Sequence, residues 1–174
     1  LHILARAIGA RRILEIGTLA GYSAIWLGFA LPADGFLLTL EIDPDRAAVA
    51  EANLQRAGLS ELVGVEVGPA LDTLDRLITE RAEPFDFVFI DADKENNLAY
   101  LERVLALVHP GSLIMVDNVV RKGSIARSRT QDPDVQASQE LLNRLGNEAG
   151  LVATALQTVG SKGHDGFALA VVTG

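Results

Sequence analysis

Cysteine is absent from all 174 residues. That excludes a disulfide framework, thiolate metal sites and a cysteine nucleophile, and it fits a reducing compartment such as the cytoplasm. Histidine is scarce, and His2, His109 and His164 share no metal-ligand spacing. Positive charge is in deficit: 15 Lys and Arg stand against 23 Asp and Glu, a formal net charge of −8. Nucleic acids and anionic membrane surfaces both call for a basic footprint, so neither is an expected partner. Long apolar runs are missing as well. The longest, Ala24–Ala33, is ten residues and is broken by Gly28 and Pro32, against the ~20 residues of a membrane span.

What is present is globular. Hydrophobic residues make up 49% and charged residues 22% of the chain, which excludes intrinsic disorder, and the length suits one domain with a substantial core. The chain opens on Leu1 rather than Met and runs straight into an apolar pattern (Leu1, Ile3, Leu4, Ile8). We therefore expect one domain over residues 1–174 that lacks an N-terminal segment.

Strand and helix patterns alternate. Short apolar runs with abrupt polar ends read as buried parallel strands: Ile13–Ile16 before Gly17, Phe36–Ile42 before Asp43-Pro44, Val63–Val67 before Gly68-Pro69, Phe85–Ile90 before Asp91, and Leu113–Val116 before Asp117. Between them, Tyr22–Leu31 is apolar nearly all round and predicts a deeply buried helix with Trp26 and Phe29 in the core. Asp43 and Pro44 start the next helix, and Gly58 ends it. Two further apolar faces follow: Leu71, Leu74, Leu77 and Ile78, then Leu98, Leu101, Val104, Leu105 and Val108, with His109 read as a helix-end residue before Pro110-Gly111. This order implies a doubly wound parallel sheet. The tail departs from the rhythm: a helix near Asp134–Glu148, a strand Leu151–Thr158, a loop Gly160–Gly166 and a last strand Phe167–Val172, the two strands forming an antiparallel hairpin.

In an open α/β sheet, ligands bind beyond the carboxyl ends of the strands, so the chemistry belongs to the residues just after each strand. After the first strand, Gly17 and Gly21 allow a tight turn and a close backbone approach, but Leu19 occupies the middle position of a GxGxxG cradle. A ligand carboxylate fits better there than a diphosphate, with Ser23 and first-turn amides as donors; packing of a buried turn would explain the glycines equally well. Glu41, 24 positions beyond Gly17, sits where a carboxylate holds a ribose diol, or is a solvated strand-end acid. Gly68-Pro69-Ala70 offers small residues against which a flat base could pack, or simply a helix start. The fourth and fifth strands end in Asp91-Ala92-Asp93-Lys94 and Asp117-Asn118. Asp91, Asp117 and Asn118 form an all-oxygen set suited to a hard cation, Mg²⁺ or Ca²⁺, with no histidine nearby to suggest zinc. Helix capping is the plain alternative for these acids.

Taken in order and spacing, Glu15-Ile16-Gly17-Thr18, Gly21-Tyr22-Ser23, Glu41-Ile42-Asp43, Phe89-Ile90-Asp91-Ala92-Asp93-Lys94, Asp117-Asn118 and Asp165-Gly166 resemble the cation-dependent O-methyltransferases of small molecules. That group includes the catechol and caffeoyl-CoA enzymes, and the Asp-Ala-Asp-Lys form is most similar to the caffeoyl-CoA and bacterial branch. The resemblance implies a Rossmann-like, doubly wound sheet of seven strands, mostly parallel with an antiparallel last strand. It implies S-adenosylmethionine as cofactor, its methionine end held by Glu15, Gly17 and Ser23, its ribose by Glu41 and its adenine against Ala70. It also implies a divalent cation (Mg²⁺ or Ca²⁺) on Asp91, Asp117 and Asn118, with Asp91 near the cofactor amino group, Lys94 as general base and Asp93 touching substrate. The implied acceptor is a small vicinal diphenol of catechol, caffeoyl or flavonoid type, and the implied assembly a homodimer. In the family a few tens of residues precede the position of Leu1, and the basic segment Arg121–Asp134 corresponds to a variable substrate loop. Two rival readings share these loops: a dinucleotide-dependent oxidoreductase, which predicts a GxGxxG that is not found, and a non-catalytic S-adenosylmethionine-binding module.

Overall fold

The computed structural model describes residues 1–161 and 163–174. Its centre is a seven-stranded sheet of order β3-β2-β1-β4-β5-β7-β6: β1 (Arg12–Ile16), β2 (Phe36–Glu41), β3 (Val63–Val67), β4 (Phe85–Ile90), β5 (Val108–Asp117), β6 (Leu151–Gly160) and β7 (Gly163–Val172). Strands β1 to β5 pair in parallel, and β7 is antiparallel to both β5 and β6. The seven-stranded, mostly parallel sheet with its antiparallel last strand is the one expected.

The two-residue alternation of each central strand divides the core. Leu14, Ile16, Leu38 and Leu40 point to one face, where α4 (Ala70–Thr79), α5 (Asn97–Val104) and α6 (Pro133–Asn147) add Leu74, Leu101, Val104 and Leu141. Ile13, Leu37, Phe87 and Phe89 point to the other, under α1 (His2–Ala7), α2 (Tyr22–Gly28) and α3 (Pro44–Arg56) with Ala5, Ala24, Leu27 and Leu54. Burial on both faces explains why β1 and β4 read as mainly apolar runs, each interrupted by one acid, Glu15 and Asp86. Helix starts are chemically explicit. The Asp43 carboxylate accepts the N–H groups of Asp45 (2.9 Å) and Arg46 (3.2 Å), and Asp132 does the same for Asp134 and Val135, each ahead of a proline at the first helical position.

The structure corrects four local readings. Helix α2 stops at Gly28, and Tyr22, Trp26 and Phe29 are exposed at 76%, 45% and 49% rather than buried. Trp26 instead stands edge-on between His2 and Phe29, with ring centroids at 5.9 and 6.3 Å. His109 is not at a helix end: α5 finishes at Val104 and His109 lies in β5, its ring between the Asp86 carboxylate (2.9 Å) and the Pro110 carbonyl (2.8 Å). The β6–β7 ladder runs from Leu151–Val172 to Gly160–Gly163, so most of the expected tail loop is strand; Lys162, also assigned to that loop, lies outside the described residues. Strand β5 pairs with β7 only between Leu113–Val171 and Asp117–Phe167, so the outer part of the hairpin continues past the end of β5.

Candidate active site

The chain winds outward from β1 to β2 and β3, then returns across the sheet to β4 and β5. This reversal puts the switch point between β1 and β4, where Gly17 and Asp91 end their strands. Gly17 has φ +101°, and a Cβ there would sit 2.2 Å from the Asp91 carbonyl oxygen. Only glycine lets the two strand ends come this close. The loop that follows stays unusual, with Leu19 at φ +50° and Gly21 at φ +82° before α2 begins.

Two buried carboxylates support this loop. Glu15 is fully buried and accepts the Thr39 hydroxyl at 2.6 Å through Oε2, while its Oε1 has no hydrogen-bond partner among the described residues. Burial pushes the Glu15 carboxyl up to about 7; the hydroxyls of Ser23 and Thr39 hold it down in part, and the Asp91 charge adds to the rise. Glu41, 5% exposed, accepts the Leu19 N–H at 2.7 Å on one oxygen and the Asp43 N–H at 3.1 Å on the other. It is therefore no solvated strand-end acid. It clamps the glycine loop to the end of β2 and keeps lone pairs free for a ligand diol.

Across the switch point, Lys94 is 8% exposed and its Nζ lies 3.2 Å from Asp91 Oδ1. Asp117, at the end of β5, accepts the N–H of Asn118 at 2.8 Å. Burial raises its carboxyl; the charges of Asp91 and Asp165 add to this and Lys94 opposes it. Asn118 takes φ +57°, a left-handed conformation that asparagine tolerates. Among the described residues no three His, Cys, Asp or Glu side chains converge as a metal cluster. The donor set is two carboxylates and an amide, with Asp117 half-buried and Asp91 more open beside Lys94, and an all-oxygen set of this kind fits a hard divalent cation.

The other expected residues are placed less centrally. The Asp93 carboxylate accepts the Tyr100 hydroxyl at 2.6 Å and the Asn96 amide, which engages both of its oxygens in the turn ahead of α5. Burial, followed by the Asp93 carboxylate, pushes the Tyr100 phenol well above its ordinary range. Ala70 opens α4 beyond β3, two strands away from β1 at the sheet edge. Ser23, half-buried, is in the first turn of α2.

A role not read from the sequence belongs to Asp165. Its Oδ1 accepts three backbone N–H groups, from Val120 (3.2 Å), Arg121 (3.0 Å) and Gly166 (2.9 Å). The segment behind Asp117-Asn118 is thereby pinned to β7, although Arg121 and Lys122 take φ +52° and +54°. Gly166 completes the junction, since a Cβ there would meet the Leu156 carbonyl oxygen at 2.2 Å. His164 reaches the same segment: its Nε2 would lie 3.3 Å from a Cβ on Gly123.

Comparison with known proteins shows the family. The family model described as O-methyltransferase matches residues 1–170. The chain belongs to the O-methyltransferase family. Among the family's members, a catechol O-methyltransferase of Mycobacterium tuberculosis is 54% identical over 172 residues, covering 99% of this chain and 76% of that protein. The solved O-methyltransferase of Bacillus cereus in complex with SAH superposes with a TM-score of 0.96 at 49% identity, over 99% of this chain and 78% of that one. The O-methyltransferase TomG of Streptomyces achromogenes, involved in tomaymycin synthesis and solved in complex with SAM, gives 0.96 at 46% identity over 99% and 78%. Family membership sets aside the dinucleotide-dependent oxidoreductase.

Proposed function

We propose that this chain transfers the methyl group of S-adenosylmethionine to one hydroxyl of a small vicinal diphenol, with a divalent cation. The observation that carries the reading is the meeting of two half-sites at one switch point. On one side are the Gly17 loop and Glu15, whose buried Oε1 has no partner; on the other are Lys94, Asp91 and Asp117. Relatives solved with SAM and SAH support the cofactor, and the named catechol O-methyltransferase supports the acceptor class.

Each side chain has a physical task. The unpartnered Glu15 oxygen and the Asp91 carboxylate present negative charge to an ammonium group, while Glu41 offers a carboxylate to two hydroxyls. S-adenosylmethionine supplies, when bound, a methyl group on a sulfonium. Asp91, Asp117 and Asn118 would hold a divalent cation, which would supply positive charge to favour a phenolate. A phenol ordinarily titrates near ~10, so a proton must leave before the oxygen becomes a competent nucleophile. Lys94, held by Asp91 at 3.2 Å, is the residue placed to accept it, acting as the neutral amine after its own ammonium proton has passed to solvent. Methyl transfer from a sulfonium to a phenolate would neutralise both charges, a change that a dry site would favour. Asp93 stands beside the acceptor, and the chain is read as working as a homodimer.

The test is turnover of caffeic acid by the purified chain with S-adenosylmethionine and Mg²⁺, followed by mass spectrometry. Lys94→Met is expected to lower kcat/KM by about 10²–10⁴ while S-adenosylmethionine still binds by calorimetry. Undiminished turnover in that variant overturns the base assignment. Turnover that persists in a chelator overturns the cation, and no turnover of caffeic acid under any condition overturns the acceptor class.

A further inference from the structure

Three of the buried polar residues lie together. Glu15, Thr39 and Thr18 are 0%, 0% and 2% exposed. Glu15 and Thr39 are directly opposed in the parallel pairing of β1 with β2, so their side chains share one face of the sheet. The Thr39 hydroxyl donates to Glu15 Oε2 at 2.6 Å, and the hydroxyl oxygens of Thr18 and Thr39 are 2.5 Å apart. A hydroxyl has one proton to give. The Thr39 proton is already on Glu15, so Thr18 is the donor to Thr39, and the chain runs in one direction: Thr18 to Thr39 to Glu15. It starts in the loop, one residue after Gly17, and ends on Oε2, while Oε1 has no partner among the described residues.

We propose that Thr39 and Thr18 are positioning residues for the cofactor: they hold the Glu15 carboxylate so that its open oxygen meets the ammonium group at the cofactor's amino-acid end. The inference rests on the reading that brings this ammonium to Glu15. The terminal torsion of a glutamate is broad, so an unanchored carboxylate has no fixed direction for either oxygen. The Thr39 bond fixes Oε2 and, with it, the direction of Oε1. Donation to an ionised carboxylate favours the charged form, and each hydroxyl in such a chain strengthens the next. Threonines that served only to offset the burial of Glu15 would leave neither oxygen open, because buried polar atoms are ordinarily partnered. Here one oxygen is held and the other is left for a ligand. Thr18 adds a second link, since the next residue, Leu19, gives its N–H to Glu41 at 2.7 Å. One short segment is thereby tied to both buried carboxylates, the one proposed for the amino-acid end and the one proposed for the ribose.

Two ligands, titrated by calorimetry, separate this role from a merely structural one. S-adenosylhomocysteine carries the ammonium group; 5′-methylthioadenosine has the same adenosine and thioether but no amino acid. Thr39→Val keeps nearly the same shape and removes the donor. It is expected to raise the dissociation constant of S-adenosylhomocysteine at least tenfold, the scale of a hydrogen bond to a charged group, and to leave that of 5′-methylthioadenosine within about twofold. Thr39→Ser restores the hydroxyl and is expected to recover the parent affinity for both. Thr18→Val leaves the Thr39–Glu15 bond in place and is expected to show the same selectivity at about threefold, so the comparison survives a Thr39→Val chain that does not fold. Equal losses for the two ligands, or no loss for S-adenosylhomocysteine, overturn the positioning role. Glu15→Gln keeps that result apart from the ammonium reading. If it weakens S-adenosylhomocysteine and the threonine variants do not, the ammonium reading stands and only the positioning role fails. If it changes nothing, both fall together.

Discussion

Glu15→Gln should make the ligand-free chain more stable at neutral and alkaline pH while leaving it unchanged in acid. Glu15 is fully buried, one oxygen bonded to Thr39 and the other without a partner, and burial raises its carboxyl from 4.5 to about 7. The folded chain therefore holds this proton more tightly than the unfolded chain does. Its stability from this group is complete below pH 4.5 and is lost as pH rises through about 7. Each pH unit in that window costs about 1.4 kcal/mol, so the loss levels off near ~3 kcal/mol above neutrality. Glutamine keeps the shape and the acceptor for Thr39 and never ionises. The difference between the two proteins should be near zero at pH 4.5, open through the window, and reach ~3 kcal/mol by pH 8, or about 6–12 °C in Tm for a domain of this size. Urea or thermal melts by circular dichroism at pH 4.5, 6, 7 and 8, without ligand, read it directly. Other titrating groups act on both proteins and cancel. A gap that does not change with pH, or a less stable variant at pH 8, refutes the burial argument. The same substitution should weaken S-adenosylmethionine binding, because it removes a charge turned toward the proposed ammonium site.

Three further outcomes follow from other parts of the structure. Asp165→Ala leaves three N–H groups without their acceptor and should cost about 3 kcal/mol in urea melts, whereas Asp165→Asn keeps an oxygen and should cost about 1 kcal/mol; an alanine variant within ~1 kcal/mol of the parent would show that the junction holds nothing. Gly17→Ala brings a Cβ to 2.2 Å from the Asp91 carbonyl oxygen at φ +101°, so S-adenosylmethionine affinity by calorimetry should fall at least tenfold, and an unchanged affinity would show that the strand ends separate freely. At the opposite end of the sheet, the Pro110 carbonyl and then the Asp86 carboxylate raise the His109 imidazole above 6.5. Its contribution is present below that pH and is lost as pH rises through the higher folded value, so the Tm advantage over His109→Gln should shrink between pH 5.5 and 8.5; an advantage that grows refutes the assignment.

The parts of this molecule that could be read in advance are those where one physical cause acts locally. Strands β1 and β4 announce themselves because burial on both faces demands mainly apolar runs, here interrupted only by Glu15 and Asp86 within Ile13–Ile16 and Phe85–Ile90, and Asp91, Lys94, Asp117 and Asn118 announce the candidate site because a parallel sheet gathers the ends of its strands on one side. Helix α2 misled because a pattern apolar all round cannot say how much of it a seven-residue helix will bury; only Ala24, Leu27 and Gly28 are buried, and Tyr22 and Trp26 are left outside. Glu41 was legible as a position but not as the clamp on Leu19, since that bond depends on a left-handed residue 22 positions earlier. Asp165 is the more instructive case, since Asp165-Gly166 carries part of the resemblance without an assigned role. It is 45 and 44 positions from the amides of Val120 and Arg121 that it accepts, and it precedes its strand's apolar core rather than following it. Strand β7 runs against the others, however, and an antiparallel strand brings its beginning, not its end, to the side where the parallel strands finish. In a sheet of this kind the residues to inspect are those after each parallel strand and those before the reversed one. By that rule Asp165-Gly166 belongs with Asp117-Asn118 from the outset, as the junction that holds the segment behind them.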